Sequence, residues 1–408
     1  MPGVNWRRCG AWASPSTQAV RGIKLENGVG PLTGIRLIEL AGIGPCPMAA
    51  MMLGDFGADV IRIDRIGSTR PGYAADPKAA VNSRSRRSIA VDLTRPAGVE
   101  FVMRLVEKAN GLMEPFRAGV AERLGIGPEV CLARNPALVY GRMTGWGQTG
   151  PLAKTAGHDL NYIAVTGALN AIGRAGDKPA IPLNLIGDYG GGGMLLAFGM
   201  VCGLLESRKS GKGQIVDAAM VDGAAILFSA IYGMHASGSW RDERASNLLD
   251  GAAHFYDVYE TSDGKYVSIG SIEPQFYALL LSKLGLDKEV LPEQMDRSSW
   301  AAMTERFARI FKTKTRDQWC EVMDGTDVCF APVLSISEAP EHGHAKAREA
   351  YVDVGGVRQP APAPRFSRTP GRARPAPAAP GVDGDVILAE YGFSAQERVD
   401  LRATGVIG

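Results

Sequence analysis

From Leu32 to Met143 short β-branched runs alternate with helix-forming stretches, and this alternation restricts the fold more than any other feature of the chain. Ile35-Arg36-Leu37-Ile38-Glu39-Leu40 reads as a strand, Ala41–Pro47 as a turn, about Met48–Phe56 as a helix and Asp59–Asp64 as a second strand. Parallel strands need a crossover, which a helix of this length supplies, so the segment is a βαβ unit. Ser88–Leu93 reads as a third strand, Ala97–Ala109 as a helix, and Leu112–Glu114 and Leu138–Met143 as further buried strands. Such a series predicts an α/β fold: a doubly wound, Rossmann-like parallel sheet.

The glycine run that follows Asp188 is expected to open a buried apolar helix, Met194–Glu206. The turn Ser210–Gly213, read as a hairpin turn, then leads into a strand over Gln214–Asp217. From about Leu249 the composition shifts. Two β-prone runs flank Asp263-Gly264, a strong hairpin signal, and helical stretches follow over Pro274–Lys283 and Trp300–Phe311. The resulting layout is an N-terminal extension (1–29), a large α/β domain (30–220), a linker (221–250), a smaller α+β domain (251–335) and a returning segment (336–408) that completes the large domain. Within that last segment Gln359–Pro380, rich in Pro, Ala and Arg, reads as a surface linker, and Ser394-Ala395-Gln396-Glu397 as a capping box starting a short helix.

Composition narrows the classes of function. A formal charge of +2 over 408 residues provides no basic excess for following nucleic-acid phosphates. Six scattered cysteines, without a C-x-x-C pair, fit reduced thiols in a cytoplasmic compartment better than disulfides or a zinc site. The longest apolar stretch, Met194–Leu205, is too short to span a bilayer, so no membrane partner is expected. Residues 1–29 carry Arg7, Arg8, Arg21 and Lys24 before the first acid, Glu26, and read either as a targeting segment or as a disordered tail. Gly405–Gly408 carries no peroxisomal signal.

Two side chains able to exchange protons near neutral pH stand out: His158 in Ala156-Gly157-His158-Asp159 and Asp188 ahead of Gly190–Gly193. Inverting a carbon that bears one acidic proton takes two such carriers, one on each face. Each residue also has a plain structural reading, Asp188 as a helix cap and His158 as a hydrogen-bonded framework histidine. The glycines after Asp188 allow close backbone approach and leave amides that would hold an enolate oxygen. Glu273, ahead of Pro274, is either a first-turn acid facing a helix dipole or an acceptor that orients His158. Arg84-x-Arg86-Arg87, together with Arg65 and Arg117, is either a solvated edge or a clamp on a phosphorylated ligand. Gly42-x-Gly44 fails as a dinucleotide fingerprint because proline occupies position 47. No G-x-S-x-G elbow is present, which argues against a serine hydrolase.

Longer stretches then decide between these alternatives. Val60–Arg65, Met143–Gly150, Gly157-His158-Asp159-Leu160-Asn161-Tyr162, Pro182–Leu185, Gly211–Gln214, Asn247–Gly251 and Ile272–Tyr277 are together similar to the α-methylacyl-CoA racemases, a branch of the family III CoA-transferase (CaiB/BaiF) group. The resemblance covers nearly all of residues 31–370. It implies an interlocked homodimer acting on acyl-CoA thioesters, with coenzyme A carried by the substrate and no separate cofactor or metal. It implies proton transfer by His158 and Asp188, with Glu273 positioning His158. It places CoA against Arg65, Val91, Asp92, Leu93, Thr94, Arg117, Gly157, Asp159, Leu160, Asn161 and Tyr162. The alternative within the group is a CoA-transferase in which Asp188 attacks the thioester, for which an imidazole opposite the carboxylate has no use. A non-catalytic acyl-CoA-binding protein would bind without turnover. The sequence departs from the pattern in a longer loop at Ser68–Val81, in the extension 1–29 and in Leu160, where isoleucine is usual.

Overall fold

A computed structural model describes residues 30–67, 79–377 and 379–408. The extension 1–29 and most of the Ser68–Val81 loop lie outside the described residues. Among those described, six strands form one wholly parallel sheet: β1 (Arg36–Leu40), β2 (Asp59–Asp64), β3 (Arg87–Ala90), β4 (Gly111–Glu114), β5 (Val139–Thr144) and β6 (Gln214–Ala219). Their order across the sheet is β3-β2-β1-β4-β5-β6. The winding direction therefore reverses between β1 and β4, which is where doubly wound sheets open a crevice at their carboxyl ends.

The two faces of the sheet are filled by alternate residues of the same strands. Ile38, Ile61, Leu112 and Tyr140 point to one side, where they pack with Phe101, Leu105, Ile387, Leu388 and Phe393. Their neighbours Leu37, Val60, Met113 and Val139 point to the other, against Cys46, Leu53, Leu196 and Met200. A period of two with both faces covered is what makes these strands read as near-continuous apolar runs. The helices Gly384–Glu390 and Ala395–Ala403 bring the end of the chain back onto the first face, the second of them starting with the Ser394–Glu397 capping box.

Several boundaries differ from the sequence reading, for physical reasons. The first helix begins at Pro45 rather than Met48, since proline in a first turn gives up an amide that would be unpaired anyway. The third strand ends at Ala90, and Val91 forms an isolated antiparallel bridge to Ile407 while its amide donates to the Asp64 carbonyl. Ser210–Gly213 is not a hairpin turn: Gly211, at φ 73°, ends a helix, and the strand that follows pairs parallel to β5. Residues 221–250 carry two helices, Met220–Leu227 and Ser229–Ala236.

The phosphate-clamp reading of the basic run is overturned for two of its members. Arg84 and Arg86 are buried and turned inward, Arg84 onto Asp55 at 2.6 Å and Arg86 onto Glu39 at 2.7 Å. Glu39 also meets Arg62, its partner across β1 and β2. Removing one partner from a buried pair of this kind costs about 3–5 kcal/mol, so these residues serve the fold.

The apolar helix follows the glycine run as expected, but the glycines lie inside a longer helix rather than ahead of one. Leu185–Met194 is a π-helix running directly into the α-helix Leu195–Ser210. The continuous helix Leu185–Ser210, unlike the twelve-residue stretch expected from sequence, is by length and composition alone long and apolar enough to cross a membrane. Here Leu196, Ala197, Met200 and Leu204 cover the second face of the sheet, while Phe198 and Leu205 stay outside, so only one side is buried.

A separate core, built from Phe255, Tyr259, Val267, Ile269, Leu280, Trp300, Phe307, Phe311 and Trp319, organises an antiparallel sheet. Its strands are β7 (Tyr256–Glu260), β8 (Tyr266–Gly270) and β9 (Phe330–Pro332), with Asp263-Gly264 in the turn between the first two.

Candidate active site

At the reversal point, loops leaving β1, β4 and β5 surround a cavity of about 520 Å³. Ile43, Gly44 and Pro45 come from the first loop, Pro115, Phe116 and Arg117 from the second, and Gly145 and Trp146 from the third. Gly157, His158, Tyr162, Asn184, Asp188 and Tyr189 complete the wall. His158 and Asp188 thus share one cavity.

His158 is held by its place in the chain. It caps the helix Asp159–Ala164, with extended backbone, and its amide donates to Oδ1 of Asn161 at 3.0 Å. Tyr162, wedged between Gly145 and Gly157, donates its hydroxyl to the Gly157 carbonyl just before His158. His158 is exposed.

Asp188 sits on the π-helix with its side chain half-buried. Its Oδ2 accepts from Asn184 at 3.1 Å, and its amide donates to Oδ2 of buried Asp159 at 2.7 Å. Burial is the main cause pushing its pKa above the ordinary carboxylate value; the Asn184 bond and the nearby His158 pull the other way, while Asp159 adds to the rise. A carboxyl group so placed is drawn toward proton exchange nearer neutrality.

The glycines have found their partners. A methyl group at Gly44, where φ is +69°, would stand 3.2 Å from Oδ2 of Asp188. One at Gly42 would meet Pro115 at 2.3 Å. Gly191 packs backbone to backbone against Gly223 of the helix Met220–Leu227, and Gly192 and Gly193 pack against Pro45 and Met48. The run therefore draws helices together beneath Asp188. It does not present a helix N-terminus to a ligand, and the Asp188 amide is already taken by Asp159.

Other residues singled out from sequence are dispersed. Arg65 and the segment Val91, Asp92, Leu93 and Thr94 stand at the carboxyl ends of the adjacent strands β2 and β3, on the cavity's edge of the sheet but outside its lining. Arg65 is exposed; Asp92 is tied to Thr94 at 2.6 Å and Arg95 at 3.1 Å. Leu160 and Asn161 are exposed on the helix after His158, whereas Asp159 is buried beneath Asp188. Glu273 is exposed on the small domain at the start of the helix Pro274–Lys283 and does not line the cavity of its own chain. Asn82, which no sequence motif marked, lines the cavity and donates to the hydroxyl of Tyr189, the neighbour of Asp188, at 3.0 Å. No group of three His, Cys, Asp or Glu side chains among the described residues is placed to hold a metal ion.

The model of CoA-transferase family III matches residues 32–385, the whole of this arrangement. The chain belongs to CoA-transferase family III. Among members of the family, the α-methylacyl-CoA racemase of Mus musculus is 45% identical over 379 residues, covering 92% of this chain and 97% of that protein. The α-methylacyl-CoA racemase of Homo sapiens is 42% identical, with the same coverage of 92% and 97%. In three dimensions the CaiB/BaiF family protein of Brucella suis superposes with a TM-score of 0.77 at 26% identity, over 89% of this chain and 100% of that one.

Proposed function

We propose that this protein interconverts (2R)- and (2S)-2-methylacyl-CoA thioesters by 1,1-proton transfer. The observation that carries the reading is the shared cavity of His158 and Asp188, in a chain closely related to two mammalian racemases. The thioester acidifies its α-carbon; His158 takes the proton from one epimer and Asp188 from the other, and the planar enolate is reprotonated from the opposite face. In each direction one residue enters as base and the other as acid. Unprotonated His158 works against protonated Asp188 for one epimer, and ionised Asp188 against protonated His158 for the other, so the pair holds one proton before and after the turnover. No cofactor is called for beyond the coenzyme A of the substrate. Its nucleotide would run from the cavity along the carboxyl edge of the sheet, past Arg65 to Val91–Thr94, with Arg117 offering charge at the cavity wall.

Glu273 fits this scheme as the residue of a second subunit that accepts the other ring proton of His158. The exposed apolar side chains Phe198, Leu205, Ile226, Leu227 and Tyr232, on the helix Leu185–Ser210 and the two helices after it, support an interlocked homodimer that covers them. The transferase alternative rests on family membership alone and leaves His158 without a task.

Incubating a (2R)-2-methylacyl-CoA with the protein in deuterated water tests the reading. Racemisation with α-deuteration is the expected result. Transfer of CoA to an added carboxylate without exchange would replace it with the transferase reading, and binding without either reaction would end both.

A further inference from the structure

The last residue of β4, Glu114, is fully buried directly behind the cavity wall and has no part in the proton transfer. Its Oε2 accepts from the Phe116 amide at 2.7 Å, bending the chain so that Pro115, Phe116 and Arg117 face the cavity. Its Oε1 accepts from Nε of Arg142 on β5 at 3.0 Å. Arg142 reaches on to Glu122, at 2.8 Å, on the short helix Val120–Arg123. From the other side Pro115 is pressed against Gly42 of the loop after β1, where no side chain would fit. A buried carboxylate and a close glycine contact therefore both hold the wall.

We infer that Glu114 is a positioning residue for thioester binding, holding the Pro115–Arg117 wall, and with it the Arg117 charge, in the place where the acyl-CoA is received. The inference rests on the racemase reading of the cavity. Its geometry has a consequence for pH. Burial drives the Glu114 pKa up to about 7, against the opposing pull of the Phe116 amide and Arg142. The charged or titratable groups facing it are Arg142 and Tyr140 of β5, Glu122, and Cys46 of the helix Pro45–Asp55. Of these, only Arg142 is a cation holding Glu114 ionised. Protonation on the acid side of neutrality weakens both charge-assisted bonds, so the wall loosens and substrate affinity falls while the proton carriers stay in place.

Glu114→Gln, measured in the full-length protein by α-deuterium exchange, should raise KM for the acyl-CoA roughly tenfold at pH 8, the equivalent of one charge-assisted hydrogen bond. Its kcat should change much less, and its KM should no longer vary between pH 6 and 8, where that of the unaltered protein rises on acidification. Glu122→Gln, a change at an exposed residue that keeps the fold, removes a charge that raises the Glu114 pKa and so shifts the KM inflection to lower pH. A flat KM profile in the unaltered protein, or an inflection that Glu122→Gln leaves in place, overturns the proposal, as does a Glu114→Gln variant that melts earlier with unchanged KM and pH profile. Failure of the racemase reading is distinct, since the unaltered protein would then exchange no deuterium at all.

Discussion

Asp159 and Asp188 are joined by a 2.7 Å bond from the Asp188 amide to Oδ2 of Asp159, so the residue that follows His158 supports the backbone of Asp188. A methyl group at Gly187 would come within 2.8 Å of the same Oδ2, which makes the junction a close-packed one. Asp159→Asn keeps an acceptor for the amide but removes a charge that raises the Asp188 pKa. The rate in the direction that uses Asp188 as base is lost as that carboxylate protonates. The acid limb of that rate should therefore move to lower pH in Asp159→Asn. Asp159→Ala, which leaves the amide unpaired, should instead lower kcat roughly tenfold. Rate–pH profiles for each epimer separate the two outcomes.

His158→Ala and Asp188→Ala should each reduce epimer interconversion by about 10²–10⁴-fold, the usual contribution of one acid–base group. The residual activity should be asymmetric. Each variant loses the initial abstraction from one epimer, so single-turnover exchange started from pure (2R) or pure (2S) thioester should differ between the two. Equal loss from both starting epimers in both variants counts against the assignment of one base to each face.

Gly44→Ala should cost activity and stability together. The position combines a backbone at φ 69° and ψ −119°, a region L-residues rarely adopt and enter at a cost of about 1–3 kcal/mol, with a Cβ site 3.2 Å from the Asp188 carboxylate. Thermal melting measures the first effect. The second should appear as a kcat lower than stability alone accounts for, since the carboxylate must move to make room.

What the sequence made legible and what it hid follow from how local each signal is. All six strands of the parallel sheet could be placed, because alternate residues such as Leu37 and Ile38 or Val60 and Ile61 are apolar for two different cores. The Asp263-Gly264 hairpin and the Ser394–Glu397 box were legible because their partners lie within a few residues. Arg84 and Arg86 were not, because the acids that neutralise them, Asp55 and Glu39, are 29 and 47 residues away. The glycine run misled for the same reason. Its demand for small residues comes from Gly223 and Pro45, which nothing near Asp188 announces. His158 and Asp188 were legible as chemistry, whereas the cavity joining them depends on three strand ends meeting at the reversal point of the sheet.

Gly223→Ala is a direct probe of that hidden contact. Its added carbon would stand 1.9 Å from the Gly191 carbonyl oxygen, backbone that has no rotamer with which to yield. Overpacking of this kind costs typically 1–3 kcal/mol. The helix Met220–Leu227 must shift off the π-helix, and Asp188 rides on that helix. The expected outcome is a lower melting temperature together with reduced exchange, whereas Gly233→Ala, a helical position where the added carbon meets open space, should leave exchange unchanged and raise the melting temperature slightly.

The small domain should set the acid limit of stability. His254 is buried among Phe255, Tyr277 and Phe307, with Nε2 bonded to the Tyr277 hydroxyl at 2.8 Å and Nδ1 without a partner among the described residues. Burial lowers its pKa to about 4 from 6.5, so the folded state holds it neutral while the unfolded chain binds a proton below about pH 6.5. Its contribution is therefore complete above pH 6.5 and declines as pH falls toward 4, by an amount on the order of 3 kcal/mol. Denaturant midpoints at pH 7 and pH 5 should differ accordingly. His254→Phe, which cannot titrate, should narrow that difference while losing the Tyr277 bond at both values. An unchanged gap between the two midpoints in the variant would assign the acid sensitivity to other groups.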